Sequence, residues 1–98
     1  MEIEVREPAA GEPEVFDVVL REGASQRRYR VRVPPSQAAR LAPGAPAARV
    51  VEAAFRFLLD REPPQAILPT FEIGLIARYF PEFDREIGGY VAALDQSS

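Results

Sequence analysis

The chain has 98 residues, of which 47% are hydrophobic and 28% charged, and its formal net charge is −3 at pH 7. Cysteine, histidine and lysine are absent, and all 12 basic residues are arginine. Disulfides, thiolate nucleophiles, imidazole or cysteine zinc sites, histidine-based triads and Schiff-base lysines are therefore excluded within this chain. No cofactor or metal motif stands out, and this chemistry argues against an enzyme.

The first part of the chain predicts antiparallel strands. Residues 2–6 alternate polar and apolar side chains, which is typical of a half-buried strand. Residues 14–21 and 27–33 alternate in the same way across a short link that contains Gly23, a pattern that predicts a β-hairpin. The three runs together predict a three-stranded antiparallel sheet.

A dense group of arginines falls within the predicted hairpin. Arg27, Arg28, Arg30 and Arg32 lie within six residues, and the last three share one strand face by alternation. Such a row can bind phosphates of nucleic acid or an acidic protein partner. The simpler interpretation is a solvated sheet face neutralised by cross-strand acids, and we name Glu2, Glu4, Glu14 and Asp17 for that role. Aromatic side chains for base stacking are missing from this face.

Helices are predicted after the hairpin. Ser36 is a possible N-cap of a short helix that ends at Ala42. A longer amphipathic helix follows Pro46 and stops before Pro63-Pro64. Its apolar stripe consists of Val50, Val51, Ala54, Phe55, Leu58 and Leu59.

The stretch from Glu62 to Leu68 is either a recognition loop or, as we favour, a connector anchored by Ile67 and Leu68. Two further helices are predicted beyond it. Thr70 would cap one over residues 71–80, and the other begins after Pro81 with apolar positions at Phe83, Ile87, Tyr90, Val91 and Leu94. Strands followed by helices are an α+β signature. We therefore expect one α+β domain over residues 1–95, with the sheet packed on two or three helices, and a disordered tail over 96–98.

Two clusters in the second half of the chain have competing interpretations. Tyr79, Phe80 and Phe83 form either a surface patch for a partner or, as we favour, a buried corner between helices. The second cluster is acidic and consists of Asp60, Glu62, Glu82, Asp84 and Glu86. If the helices packed side by side, these carboxylates could serve an enzyme or bind a divalent cation. Favourable interaction with a helix dipole explains the acidic residues near residue 83 more simply.

The second half also resembles a group of small uncharacterised bacterial proteins. The shared pattern has a helix ending in Arg-Glu-Pro, then Ile-Leu, then a Tyr-Phe-Pro-Glu-aromatic corner, after a strand ending in Val33-Pro34. Its positions here are Phe57, Leu58, Leu59, Arg61, Glu62, Pro63, Ile67, Leu68, Tyr79, Phe80, Pro81, Glu82 and Phe83. The resemblance covers about two-thirds of the chain and implies no activity. It singles out Arg61, Glu62, Tyr79 and Phe83 as a possible partner surface.

These observations predict a small, non-enzymatic bacterial domain with a binding or regulatory role, which acts through a protein partner or as a homodimer. The alternative is a nucleic-acid-binding module that uses the arginine hairpin. No secretory signal and no apolar run long enough to span a membrane are found, so a cytoplasmic location without membrane contact is expected. An uncovered sheet face bearing Val15 and Val19 would favour dimerisation through that face.

Overall fold

The computed structural model describes residues 1–96, which form a sheet and a layer of helices packed on one of its faces. The strands are β1 (Glu2–Arg6), β2 (Val15–Glu22), β3 (Ser25–Arg32) and β4 (Thr70–Glu72). The helices are α1 (Pro35–Leu41), α2 (Ala47–Leu59), α3 (Ile76–Tyr79) and α4 (Phe83–Gln96), with 3₁₀ turns over Pro64–Ala66 and Ile73–Leu75. The α+β class is confirmed. Gln96 ends α4, and the other two residues of the predicted tail lie outside the described residues.

The predicted hairpin is the centre of the sheet. β2 and β3 pair antiparallel, with Val18 opposite Tyr29 and Asp17 opposite Arg30. The turn between them places Gly23 at a φ of 59°, where glycine avoids the strain that a Cβ atom would cause. Alternation then sends Phe16, Val18, Leu20, Tyr29 and Val31 into the core and leaves most of the charged side chains on the other face.

The sheet has four strands in the order β1-β2-β3-β4, and it is mixed because β4 runs parallel to β3. The prediction of three antiparallel strands was therefore wrong, because a fourth strand is present and runs parallel to its neighbour. Within residues 1–96, β1 pairs only with β2, with Ile3 opposite Leu20 and Val5 opposite Val18. β1 and β4 are thus the two edges of the sheet.

The fourth strand replaces the first turn of the helix that we predicted over residues 71–80. Phe71 lies opposite Val31 in the sheet, and the backbone N–H of Arg30 donates to the carbonyl of Pro69 at 2.7 Å. These non-local contacts outweigh a local helical pattern that contains Gly74. Only the four residues of α3 remain α-helical, and Thr70 begins a strand rather than capping a helix.

α2 is the central helix of the core. Its predicted stripe is confirmed except for Leu59, which is half-buried, and Phe57 is buried as well. The Phe55 ring packs edge-on against Tyr29 of the sheet, with 5.2 Å between ring centroids. On its other side Phe57 contacts the last helix, so α2 joins the sheet to α4.

The remaining helices differ from the predictions at their ends. α1 begins at Pro35, and Ser36 lies inside its first turn without capping it. α4 buries Phe83, Ile87, Val91 and Leu94, while Tyr90 is half-buried. Residues 1–96 contain four α-helices where we expected two or three. Within residues 1–96, none of them has the length and apolar character that a membrane span requires.

Candidate functional site

The arginine hairpin forms a neutralised sheet face. Arg30 pairs with Asp17 at 3.2 Å and with Glu12 at 3.5 Å. Arg32 lies 3.4 Å from Glu14 and 3.6 Å from the carboxylate of Glu72. Two cations of the predicted phosphate-binding row are therefore already occupied by acids.

The other two arginines of the row lie on opposite faces. Arg28 shares the outer face with Arg30, whereas Arg27 lies opposite Leu20 and so belongs to the face that carries the core. Arg28, Arg30 and Arg32 thus share the outer face, as alternation predicts, but acids already hold Arg30 and Arg32. This geometry does not favour the nucleic-acid alternative.

The acids of β1 have a different role from the one we predicted. β1 is adjacent to β2 and not to β3, so Glu2 and Glu4 pair with Arg21 at 3.9 and 2.6 Å. Val19, between Glu4 and Arg28 in the register, is only 1% exposed although it lies outside the main core cluster. With Val19 covered, the outer face offers little apolar area for sheet-on-sheet dimerisation.

Arg61 forms the centre of a polar cluster, the Arg61 corner, made by Arg61, Glu82, Glu86, Tyr90 and Asp60. Its guanidinium bonds to Glu82 at 3.1 Å and to Glu86 at 3.0 Å, and the Tyr90 hydroxyl donates to Asp60 at 2.6 Å. The same guanidinium carbon lies 3.6 Å from the centre of the Phe57 ring. The corner ties the end of α2 to α4, with Arg61 only 20% exposed.

Electrostatics within the corner follow from these bonds. Hydrogen bonding to Tyr90 and the two glutamates raises the pKa of Arg61 further above its usual range. The backbone N–H of Glu82 and the guanidinium of Arg61 hold the pKa of the Glu82 carboxyl below its ordinary value. The hydrogen bond to Asp60 raises the pKa of Tyr90. Arg61 and Glu82 therefore stay charged at neutral pH, as their contacts require.

The acidic residues do not assemble into a reactive cluster. Glu82 and Glu86 are held by Arg61, and Asp84 pairs with Arg40 at 2.8 Å. Across the described part of the chain, no three acidic side chains are arranged to hold a metal ion. The carboxylate-enzyme hypothesis required at least two of these acids in one deep pocket, and the groove described below contains only Glu62.

The predicted aromatic corner is divided between core and surface. Phe83 is fully buried and packs edge-on against Phe57 at 5.0 Å, and Phe80 is half-buried. Tyr79 is 68% exposed. The expectation that all three rings are buried was therefore wrong for Tyr79, because α3 has only four residues and this ring projects from its last turn.

An open groove of about 420 Å³ lies beside Tyr79, and we call it the α3 groove. Its lining comes from the end of α2, the connector, β4 and α3, and the residues are Leu58, Glu62, Ala66, Ile67, Leu68, Phe71, Leu75, Ile76, Tyr79 and Phe80. Leu68 is 49% exposed at the groove, so two of the large apolar side chains most exposed on residues 1–96 meet here. Clustered apolar exposure of this kind marks binding sites more often than scattered exposure does.

The connector that forms one wall of the groove is fixed to the sheet. The Tyr29 hydroxyl donates to the Pro64 carbonyl at 2.6 Å, and Ile67 is buried against the core. Burial raises the pKa of Tyr29, which keeps this donor protonated well above neutral pH. The groove is therefore held by the fold itself and does not depend on a ligand to shape it.

Glu62 is the only charged residue among those that line the groove. It follows Arg61 directly, but within residues 1–96 its carboxylate is in no ion pair. The groove is thus apolar with one free negative charge, a combination that suits an apolar segment carrying a basic side chain.

Sequence reasoning identified part of this groove. Glu62 and Tyr79 were named as a possible partner surface and line it, while Arg61 and Phe83 of the same set are absorbed in the corner and the core. Phe71 and Leu75 fell within the helix predicted over residues 71–80, but they lie in β4 and in the 3₁₀ turn that follows it. A short strand predicted directly after Pro69, in place of the start of a helix, would have located them.

Searches against protein-family models, curated proteins and solved structures found no match to the chain. The resemblance to small bacterial proteins therefore stays a prediction.

Proposed function

We propose that the chain is a small non-enzymatic binding domain that holds an apolar segment of a protein partner in the α3 groove. The observation that carries this proposal is the meeting of exposed Tyr79 and Leu68 around a preformed apolar groove. An isolated monomer gains nothing from leaving these side chains in water, whereas a partner gains by covering them. A bacterial origin, a cytoplasmic location and a regulatory role remain predictions.

The partner's chemistry follows from the lining. Phe71, Ile76 and Phe80 favour aliphatic or aromatic side chains, and Glu62 favours a lysine or arginine close to them. An acidic or strongly polar segment would leave the Glu62 carboxylate repelled and the apolar floor unfilled. We therefore propose a short segment with at least two large apolar residues and one basic residue.

A displayed library of random linear peptides tests this directly. Peptides selected on the wild-type domain should share the apolar-plus-basic pattern, and fluorescence polarisation gives their dissociation constants. Tyr79→Ser and Leu68→Ser should each weaken binding about tenfold or more, because rim side chains that lose their aromatic or aliphatic area lose the contact. Tyr79→Phe should bind like the wild type.

Charge recognition is tested separately. Glu62→Gln should abolish the preference for a basic residue over its neutral analogue in the same peptide. Glu7→Gln is the matched control, because Glu7 is exposed beside the opposite sheet edge. A library that yields no binders, or binders indifferent to the two serine variants, would overturn the proposal.

A further inference from the structure

The edge of β1 is a second surface without a partner. Its main-chain groups bond only to β2 within residues 1–96, so one side of a five-residue strand remains open. The other edge differs, because β4 has three residues and is bounded by Pro69 and the turn at Ile73. An open strand edge is a template for pairing with another strand.

We propose that two copies of the chain pair β1 with β1, antiparallel about a twofold axis at Glu4, which joins the two four-stranded sheets. This interface is independent of the α3 groove. It uses the exposed ladder groups of β1 and the pattern of its side chains, and the partner is a second copy because the strand is complementary to itself.

The charges select this register. In it, Glu2 of each copy faces Arg6 of the other copy. Within each copy, β2 places Arg21 opposite Glu2 and Asp17 opposite Arg6. A row across the four central strands therefore reads positive, negative, positive, negative. Cross-strand pairs of opposite charge stabilise a sheet, and like pairs destabilise it.

The apolar face also fits this register. Ile3 of each copy faces Val5 of the other on the side that carries the core, where both side chains are only half-buried in one copy. Moving the axis to Ile3 would bring Glu2 against Glu4. Moving it to Val5 would pair Glu4 with Arg6, but it would bring the charge of Glu7 against Ile3 on the apolar side, so the apolar face excludes this register. Placing the axis between two residues would set core-facing side chains of one copy beside outer-facing side chains of the other.

The two Glu4 residues meet on the axis, and each is neutralised within its own copy. Arg6 and Arg21 lie 2.7 and 2.6 Å from its carboxylate oxygens. These bonds also hold the pKa of Glu4 below its ordinary value. Two arginines per copy therefore surround the paired Glu4 carboxylates, so repulsion between these carboxylates does not prevent pairing about this axis.

Sedimentation velocity of the full chain tests the proposal. We expect the wild type to form a dimer of about twice the 10.9 kDa monomer mass at about 100 μM protein, in the range of small, weak interfaces. Glu2→Arg and Arg6→Glu should each raise the dimer dissociation constant about tenfold or more, because each creates two like-charge contacts. Glu22→Arg is the matched control, since it makes the same charge change at an exposed position outside β1.

Mixing the two defective variants gives the decisive result. In a mixed dimer, arginine at both positions of one copy faces glutamate at both positions of the other, so the mixture should dimerise when neither variant does alone. Circular dichroism of each variant confirms that it is folded. A wild type that remains monomeric at about 1 mM, a dimer indifferent to both variants, or a mixture that stays monomeric would each overturn the proposal. Tyr79→Ser should dimerise normally, which separates this test from that of the groove.

Discussion

Arg61 and Glu62 are neighbours just after α2, and the two regions that they enter are opposites. Around Arg61, two carboxylates, a tyrosine and an aromatic ring satisfy the guanidinium. Around Glu62, the walls are almost wholly apolar and the carboxylate has no cation among the described residues. The polar groups of the corner bond to one another within one chain, whereas the exposed side chains of the groove have no such contacts. This difference supports a structural role for the corner and the proposed binding role for the groove.

The aromatic core beneath the corner should show the largest effect on stability. Phe83→Ala removes a fully buried ring that packs on Phe57, and we expect it to lower the free energy of unfolding by about 3–5 kcal/mol. Urea unfolding measures the change. Phe80→Ala is the matched control, because Phe80 also packs edge-on against Phe57, at 6.0 Å, but is only half-buried; it should cost clearly less. Equal losses of unfolding free energy would show that Phe80, at the groove, belongs to the core as fully as Phe83 does.

Removal of the corner's cation should have the next largest effect. Arg61→Met keeps the apolar cover over Phe57 but leaves Glu82 and Glu86 without their arginine, and we expect a loss of about 1.5–3 kcal/mol. Arg56→Met is the control, because its pair with Glu52 at 3.2 Å lies on the exposed side of α2 and is worth about 0.5 kcal/mol or less. Similar losses for both variants would mean that the corner is an ordinary surface ion pair.

The corner should also be visible in the acid limb of stability. The pKa of Glu82 is lowered in the folded chain, so its stabilising effect is complete above the ordinary value of 4.5 and is lost as pH falls through the lower, folded pKa. Glu82→Gln should therefore reduce the slope of unfolding free energy with pH below about pH 4.5. Arg61→Met should reduce it less, because the backbone N–H of Glu82 still lowers that pKa. Unchanged slopes in both variants would contradict this account.

The exposed side of α4 should respond in the opposite direction. Gly88 and Gly89 lie inside the helix, and a Cβ atom at either position would meet nothing within 4 Å. Gly88→Ala and Gly89→Ala should each stabilise the chain by about 0.5–1 kcal/mol, because alanine loses less conformational entropy in a helix. Thermal unfolding compares the two variants with the wild type. Destabilisation by either would show that this side of α4 is closely packed.

The corner and the groove also differ in how far the sequence predicts them. Local patterns predict the hairpin and α2 correctly, because alternation and a helical stripe reflect burial on one face. They fail at residues 70–80, where pairing of Phe71 with Val31, forty residues away, decides the backbone. The groove depends on that pairing, so Glu62, Leu68 and Tyr79 could be singled out in advance but Phe71 and Leu75 could not. The partners of Arg61 lie more than twenty residues along the chain, and no local spacing predicts them.

The groove rim should give the smallest effect on stability and the clearest effect on function. Tyr79 is 68% exposed, and its hydroxyl makes no hydrogen bond with the described residues, so Tyr79→Ser should change the free energy of unfolding by no more than about 0.5 kcal/mol. The same substitution removes the exposed ring from the groove and should abolish most peptide binding. Phe83→Ala, by contrast, should destabilise the chain while leaving any folded fraction able to bind. Urea unfolding and fluorescence polarisation on the same samples compare the two. If Tyr79→Ser destabilised the chain strongly, this aromatic would be a structural part of the corner, and the boundary between the two regions would have to be drawn beyond α3.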